Sequence, residues 1–204
     1  VDLDDPDAPI PPVSVPQVSA PVLTPGLGNV AVSGSTLTGA AITEAGSVSN
    51  VTLRDNSVWN LTGNSNLTNL VNDPSQILFS APTNNTFKTL TVVNYVGEGQ
   101  SLIGLNTFVE GDGSPSDTLV IDGGTATGQS RIAITNAGGQ GALTRGNGIL
   151  VVDAIHAGTT VPTAFVLAGT VAAGPYQYTL ARGSRDASNA QAWYLRSTID
   201  CAAG

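Results

Sequence analysis

The chain has 204 residues, 11% of them charged and 41% hydrophobic, with 24 glycines, 12 prolines and a formal charge of −8 at pH 7. An ordinary soluble domain carries about 25% charged residues; here solubility falls to Asn, Thr, Ser and Gln, which excludes helical surfaces built from Glu, Lys, Arg and Ala at a 3.6-residue period and argues for an all-β chain. Seven Lys and Arg against 15 Asp and Glu exclude the basic patch that nucleic acid or an anionic membrane surface would require.

In chain order, the first feature is proline. Seven of the 12 prolines precede residue 26, in "DLDDPDAPIPPVSVPQVSAPVLTPG". Each removes a backbone donor and fixes φ, so residues 1–28 are expected to form a linker or an extended strip laid along the body. Asp2, Asp4, Asp5 and Asp7 lack the Gly and the bidentate Glu of a calcium loop and read as a solvated acidic tail. No basic segment followed by an apolar one marks a leader peptide, and no apolar run reaches the ~18 residues of a spanning helix. The absence of Met, even at position 1, suggests a piece from inside a longer chain, and Cys201 has no second cysteine to pair with.

From Val30 the chain becomes a series of short apolar runs divided by polar turns. Val51 alternates with Leu53 and Trp59 with Leu61; Leu67 and Leu70 follow, then "QILFS", "FKTLTVV", "SLIGLNTFV", "DTLVID", "SRIAIT", "GILVVDAI", "TAFVLAG", "YQYTLA" and "AWYLRS". Strands of about three to five residues are expected, joined by Asn, Gly, Ser and Asp, which tolerate left-handed backbone. Such spacing fits a sandwich, a barrel or a stacked solenoid. Short runs without two-residue Asn-Gly hairpins, and aliphatic rather than aromatic inward positions, favour the solenoid.

The segments "LTVVNYVG", "LIGLNT", "SDTLVIDGGTATG", "ITNAGGQGALTRGNGILVV", "AGPYQYTLARG" and "WYLRS", from Leu90 to Ser197, resemble in order and spacing the C-terminal passenger segment of classical type V bacterial autotransporters, the pertactin-like autochaperone region. The resemblance implies a right-handed parallel β-helix with a capped C-terminal end. It further implies a passenger secreted to the bacterial cell surface, either attached to the outer membrane or released, whose partner is its own C-terminal outer-membrane β-barrel. On this reading residues 29–89 are ordinary passenger rungs, 90–197 the autochaperone-like segment, and 198–204 a tail leading to the linker and barrel. A solenoid end exposes unpaired N–H and C=O groups, which promotes addition of a rung and invites aggregation, so a cap is expected. Tyr176, Tyr178, Trp193 and Tyr194, four of the six Trp and Tyr, are expected to form it with Leu195.

Reactive side chains are sparse. His156 is the sole histidine, no Ser sits in a G-x-S-x-G elbow, and one His with one Cys makes a zinc site improbable. Asp112, Asp117 and Asp122 are the only dense carboxylates, read as turn and rung-edge residues, with a glycosidase pair or weak calcium binding as lesser readings. The acceptor patterns at Asn50, Asn60, Asn66 and Asn84 are read as turn chemistry. The expectation is a non-enzymatic stem and autochaperone without cofactor or metal. The alternative is an adhesive module binding host matrix, glycan or other bacteria, or self-associating, through the Pro-rich strip and the Asn/Thr-rich rungs, with Trp59 and Leu61 on its face; an enzyme is a distant third.

Overall fold

The computed structural model describes residues 24–199, and all regular structure in that range is β. Runs of Val, Ile, Leu and Thr pleat with one apolar face, and each ends at residues that turn cheaply. The strands of the first four rungs are β1 (Leu27–Ser33) and β2 (Thr36–Gly39), β3 (Val48–Arg54) and β4 (Val58–Leu61), β5 (Ser65–Asp73) and β6 (Gln76–Phe79), and β7 (Thr89–Gly97) and β8 (Leu102–Thr107). Next come β9 (Thr118–Asp122), β10 (Thr125–Gly128) and β11 (Ser130–Asn136), then β12 (Ile149–Ile155), β13 (Thr159–Thr160) and β14 (Phe165–Leu167). The last strands of the described residues are β15 (Val171–Ala173), β16 (Tyr176–Arg182) and β17 (Trp193–Ile199).

From β1 to β9 successive strands serve two sheets in turn. In one, β1, β3, β5, β7, β9 and β12 lie side by side and parallel; in the other, β2, β4, β6, β8, β11 and β14 do the same. Parallel neighbours require a crossover, and here the crossover is the strand of the opposite sheet, so each pair of strands is a rung stacked on the one before. The expected all-β parallel solenoid is thus observed in place of a sandwich or barrel. From β4 onward the rungs lengthen, from 18 residues between Val58 and its partner Gln76 to 35 between Ser130 and its partner Phe165.

Among the described residues, seven strands have the expected three to five residues and nine are longer, β5 and β7 with nine each. Their inside-outside alternation breaks at Thr68–Asn69 and at Val93–Asn94, where two consecutive residues face outward and the strand turns a corner. Asn29, Asn50, Asn69 and Asn94 are stacked in register at that corner. Asn50 donates from Nδ2 to Asn29 Oδ1 at 2.8 Å, Asn69 to Asn50 at 2.7 Å and Asn94 to Asn69 at 2.8 Å, and Asn94 Oδ1 accepts from the Thr125 N–H. A ladder therefore runs up the outside of four rungs.

The interior holds Leu53, Leu61, Leu70, Ile77, Leu90, Ile103, Leu119 and Ile121, all buried, together with Trp59, Tyr95 and Phe165. Trp59 is not on an adhesive face: it is 1% exposed and donates from Nε1 to Gly39 O, and Leu61 is buried beside it. Its place opposite Leu37 and Ile77 in register puts it in the stack of inward side chains. A polar seam lines the turn between the sheets, where Ser57, Ser75, Ser101 and Ser130 are buried and Ser101 Oγ, Ser130 Oγ and Tyr95 Oη bond one another.

The two ends differ. At the first end, Leu27, Val30 and Ile42 are exposed, and a hollow of about 200 Å³ opens between Val30, Leu37, Ala41, Val51 and Trp59. Among the described residues no strand pairs with the outer edge of β1 or β2. At the other end the pairing changes sense within β12: its second half is parallel to β9, while its first half is antiparallel to β17, and β16 and β15 continue antiparallel from there.

Candidate functional site at the C-terminal end

The two runs "YQYTLARG" and "AWYLRS" become β16 and β17, joined by a ten-residue connection from Gly183 to Ala192 in which Asn189 and Ser184 bond the backbone. Antiparallel pairing from Tyr176–Ile199 to Arg182–Trp193 fixes their register. Of the five aromatic and aliphatic residues singled out, Tyr178, Trp193, Tyr194 and Leu195 are buried, and Tyr176 is half-buried against the core.

They do not form one cluster. Trp193 points down the solenoid axis into the rung beneath. Its ring meets Phe165 edge-on at 5.5 Å, Phe165 stacks on Tyr95 at 6.0 Å, and Nε1 donates to Thr160 Oγ1 at 3.0 Å. Leu195 is fully buried opposite Ile149. Tyr194 faces the other way, with the Arg196 guanidinium 5.7 Å from its ring centroid, and lines a cleft with Asp112, Ser116, Asn147 and Leu150. Tyr178 makes the polar contacts: its hydroxyl donates to Glu110 O at 2.7 Å, with Ala142 O as second acceptor, and accepts from the Ala142 N–H at 3.0 Å.

Ala142 belongs to the span between β11 and β12, "AGGQGALTRGNG". Composition alone makes this loop look inert, yet it is a strap between the last rungs and the antiparallel end. A Cβ on Gly141 would stand 1.9 Å from Ala173 O, and one on Gly148 2.3 Å from Leu195 O, and both positions have positive φ. Glycine is there because backbone lies against backbone. Thr144 N–H donates to Ser197 Oγ at 2.7 Å and Ser197 N–H returns a bond to Thr144 Oγ1, while Arg185 donates to Thr144 O and Gly146 O.

Asp112 holds the far end of the strap. Its carboxylate accepts the backbone N–H groups of Arg145, Gly146 and Gly148 at 2.7, 2.9 and 2.8 Å. Burial pushes this carboxyl up, but the three backbone bonds and the Arg185 charge outweigh it, so it lies below the usual carboxylate range. Asn147 ties strap to hairpin: Oδ1 accepts from the N–H groups of Arg185 and Asp186, Nδ2 donates to Asp186, and its carbonyl accepts from Arg196 Nε. Hydrogen bonds from the Ser188 hydroxyl and N–H, and from Asn147, hold the Asp186 carboxyl well below its ordinary value.

The other expected chemistry is scattered. Asp117 is fully buried and accepts from Lys88 N–H, Asn106 N–H and Asn106 Nδ2, tying the entry to β7 and the end of β8 to the entry to β9. Asp122 pairs with His156 at 2.7 Å on the surface. The three aspartates thus have separate partners, and no group of three metal-ligating side chains occurs among the described residues. Asn50, Asn60 and Asn66 lie in strands rather than turns: Asn50 in the ladder, Asn66 bonded in both directions to the Thr43 backbone, Asn60 beside Thr38. Asn84 is in a turn with φ 51°. Residues 1–23 of the acidic Pro-rich strip and Cys201 lie outside the described residues, while Leu27 and Gly28, at the end of that strip, belong to β1. Sequence reasoning missed Asp112's hold on the strap and the asparagine ladder, although the recurrence of Asn at 29, 50, 69 and 94 was a visible signal.

A parallel β-solenoid that changes to antiparallel pairing at its C-terminal end, with a glycine-rich strap laced between, is the class these observations define. The family described as Autochaperone Domain Type 1 matches residues 65–180, more than half of the chain, and the chain belongs to that family. The match begins in β5, upstream of Leu90, and ends within β16. The chain is 42% identical over 106 residues to the uncharacterized protein YuaQ of Escherichia coli (strain K12), covering 52% of this chain and 7% of that protein. It is 39% identical over 111 residues to the autotransporter adhesin AIDA-I of Escherichia coli (54% and 8%), and 35% identical over 122 residues to the adhesin BmaC autotransporter of Brucella suis biovar 1 (55% and 3%). It spans less than a tenth of the length of each of these three relatives.

Proposed function

We propose that this chain is the stem and autochaperone segment of an autotransporter passenger, non-enzymatic, promoting folding of the passenger at the outer membrane and supporting a surface adhesion protein. The observation that carries this reading is the asymmetry of the ends. A solenoid's stability is a sum over rungs and their interfaces, so the end with extra bonds is the end from which order spreads. Here the C-terminal end has the strap, the Tyr178 and Ser197 bonds and the Trp193–Phe165–Tyr95 column. Tyr176, Tyr178, Trp193, Tyr194 and Leu195 are the cap in this account, and β1 and β2 are the template on which upstream rungs add. The partner that anchors the stem is the protein's own outer-membrane β-barrel.

The experiment is deletion of residues 90–197 from the full-length protein, read by surface proteolysis. The reading requires that the barrel still inserts while the passenger becomes protease-sensitive; normal protease resistance would end it. Two relatives carry the name adhesin, which favours a second reading in which the stem itself binds a host ligand. Binding of the purified chain to host cells, above that of an unrelated β-solenoid, would establish that role.

A further inference from the structure

The strap carries the chain's one Asn-Gly dipeptide, Asn147–Gly148. In this dipeptide the following backbone nitrogen is unhindered by a side chain, so amide loss from Asn is faster than before any other residue. The Gly148 nitrogen loses its proton to solvent base and attacks Asn147 Cγ. A C–N bond forms, ammonia leaves, and the resulting cyclic imide adds water across either C–N bond to give aspartate or isoaspartate. Overall, one amide and one water become a carboxylate and ammonium.

The docked end of the molecule blocks both partners in that step. The Gly148 N–H is donated to Asp112 Oδ1 at 2.8 Å, and Gly148 is packed against Leu195 O. The Asn147 side chain is held away on the hairpin by Arg185 N–H, Asp186 N–H and Asp186 Oδ2, at 2.8, 3.2 and 2.9 Å. We propose that Asn147 is a deamidation site which strap docking protects, and that its conversion in an undocked chain prevents the strap and hairpin from closing. The product explains the second half. A carboxylate at 147 places oxygen against Asp186 Oδ2 where an N–H now donates, and isoaspartate adds a backbone carbon where Gly148 already touches the Leu195 backbone. Asn147 is thereby a one-way marker of chains whose C-terminal end stayed open, whatever the function of the passenger.

The test is peptide mapping by mass spectrometry of the 204-residue chain, aged at pH 8 both folded and in urea. Gain of 1 Da at Asn147 should be slower in the folded chain by at least about tenfold, because attack must await local opening. Aged chains diluted from urea should then divide by mass: unmodified chains regain protease resistance over 140–199, and modified chains do not. Asn147→Asp should refold with the same defect, and Asn147→Gln, which keeps the amide but forms the imide slowly, should outlast the native chain in urea. Equal rates in the folded and unfolded chain, or full protection of 140–199 in the modified fraction, would overturn the proposal; both readouts use the native sequence and do not depend on any variant folding.

Discussion

Single atoms decide how the C-terminal end is joined to the rungs. The Tyr178 hydroxyl reaches Glu110 in one direction and Ala142 in the other, across 68 and 36 residues of chain. Tyr178→Phe keeps the ring and removes the hydroxyl, leaving the Ala142 N–H without its partner. The expected cost is about 1 kcal/mol, that of a lost hydrogen bond with a part-buried donor left unpaired, measurable by urea unfolding followed with far-UV circular dichroism. Asp112 gives a pH signature. Its folded pKa is depressed, so its contribution is fully present above the unfolded value of about 3.9 and is lost as pH falls through the lower folded value. Hydrogen exchange at Gly146 and Gly148, normalised for the intrinsic rate, should therefore accelerate as pH falls below that range, and in Asp112→Asn the step should vanish. That four of the six Trp and Tyr fall in the last two apolar runs was legible in the sequence. That they divide between a downward column and an outward face was not legible, since strand alternation sets direction only once register is known.

At the scale of elements, the strap and the ladder show what a sequence pattern does and does not disclose. The strands were legible because apolar residues alternate, and the runs read from the sequence fall on β6, β7, β8, β9, β11, β12, β14, β16 and β17. Strands β10, β13 and β15, with "TATG", "TT" and "VAA", carry too few large apolar residues to announce themselves; their pairing comes from the neighbours they lie beside. The strap was invisible for the opposite reason: glycine records an approach of two backbones that only the fold brings together. Gly141→Ala, with its Cβ driven into Ala173 O at φ 80°, should destabilise by several kcal/mol or leave the hairpin undocked. Gly169→Ala, where nothing stands within 4 Å of the new Cβ, should stay within about 0.5 kcal/mol of the parent in the same thermal or urea scan. In the ladder, Asn69→Ala removes one bond given and one received, and should cost about 1–2 kcal/mol in urea unfolding. An Asn50→Ala/Asn69→Ala double variant should lose less than the sum, because the bond between them is counted in both single changes.

At the scale of the whole molecule, the two ends of the solenoid differ in how their strands are paired. Family membership and the parallel solenoid were legible from the ordered motifs between Leu90 and Ser197, and the Autochaperone Domain Type 1 match, over residues 65–180, covers those motifs as far as Leu180. The difference between the ends was legible only as an expectation, because it depends on how loops far apart in sequence lace together. In a solenoid each rung touches its neighbours alone, so stability can be graded along the axis rather than shared evenly. The most direct measurement is hydrogen exchange of the chain at increasing urea, resolved by peptide. The account predicts that amides from β1 to β6 lose protection first, and that those from β7 to β17 stay protected to higher urea and exchange last. Loss of protection in both regions at the same urea concentration, or longer survival of the β1–β6 rungs, would contradict a C-terminal folding template.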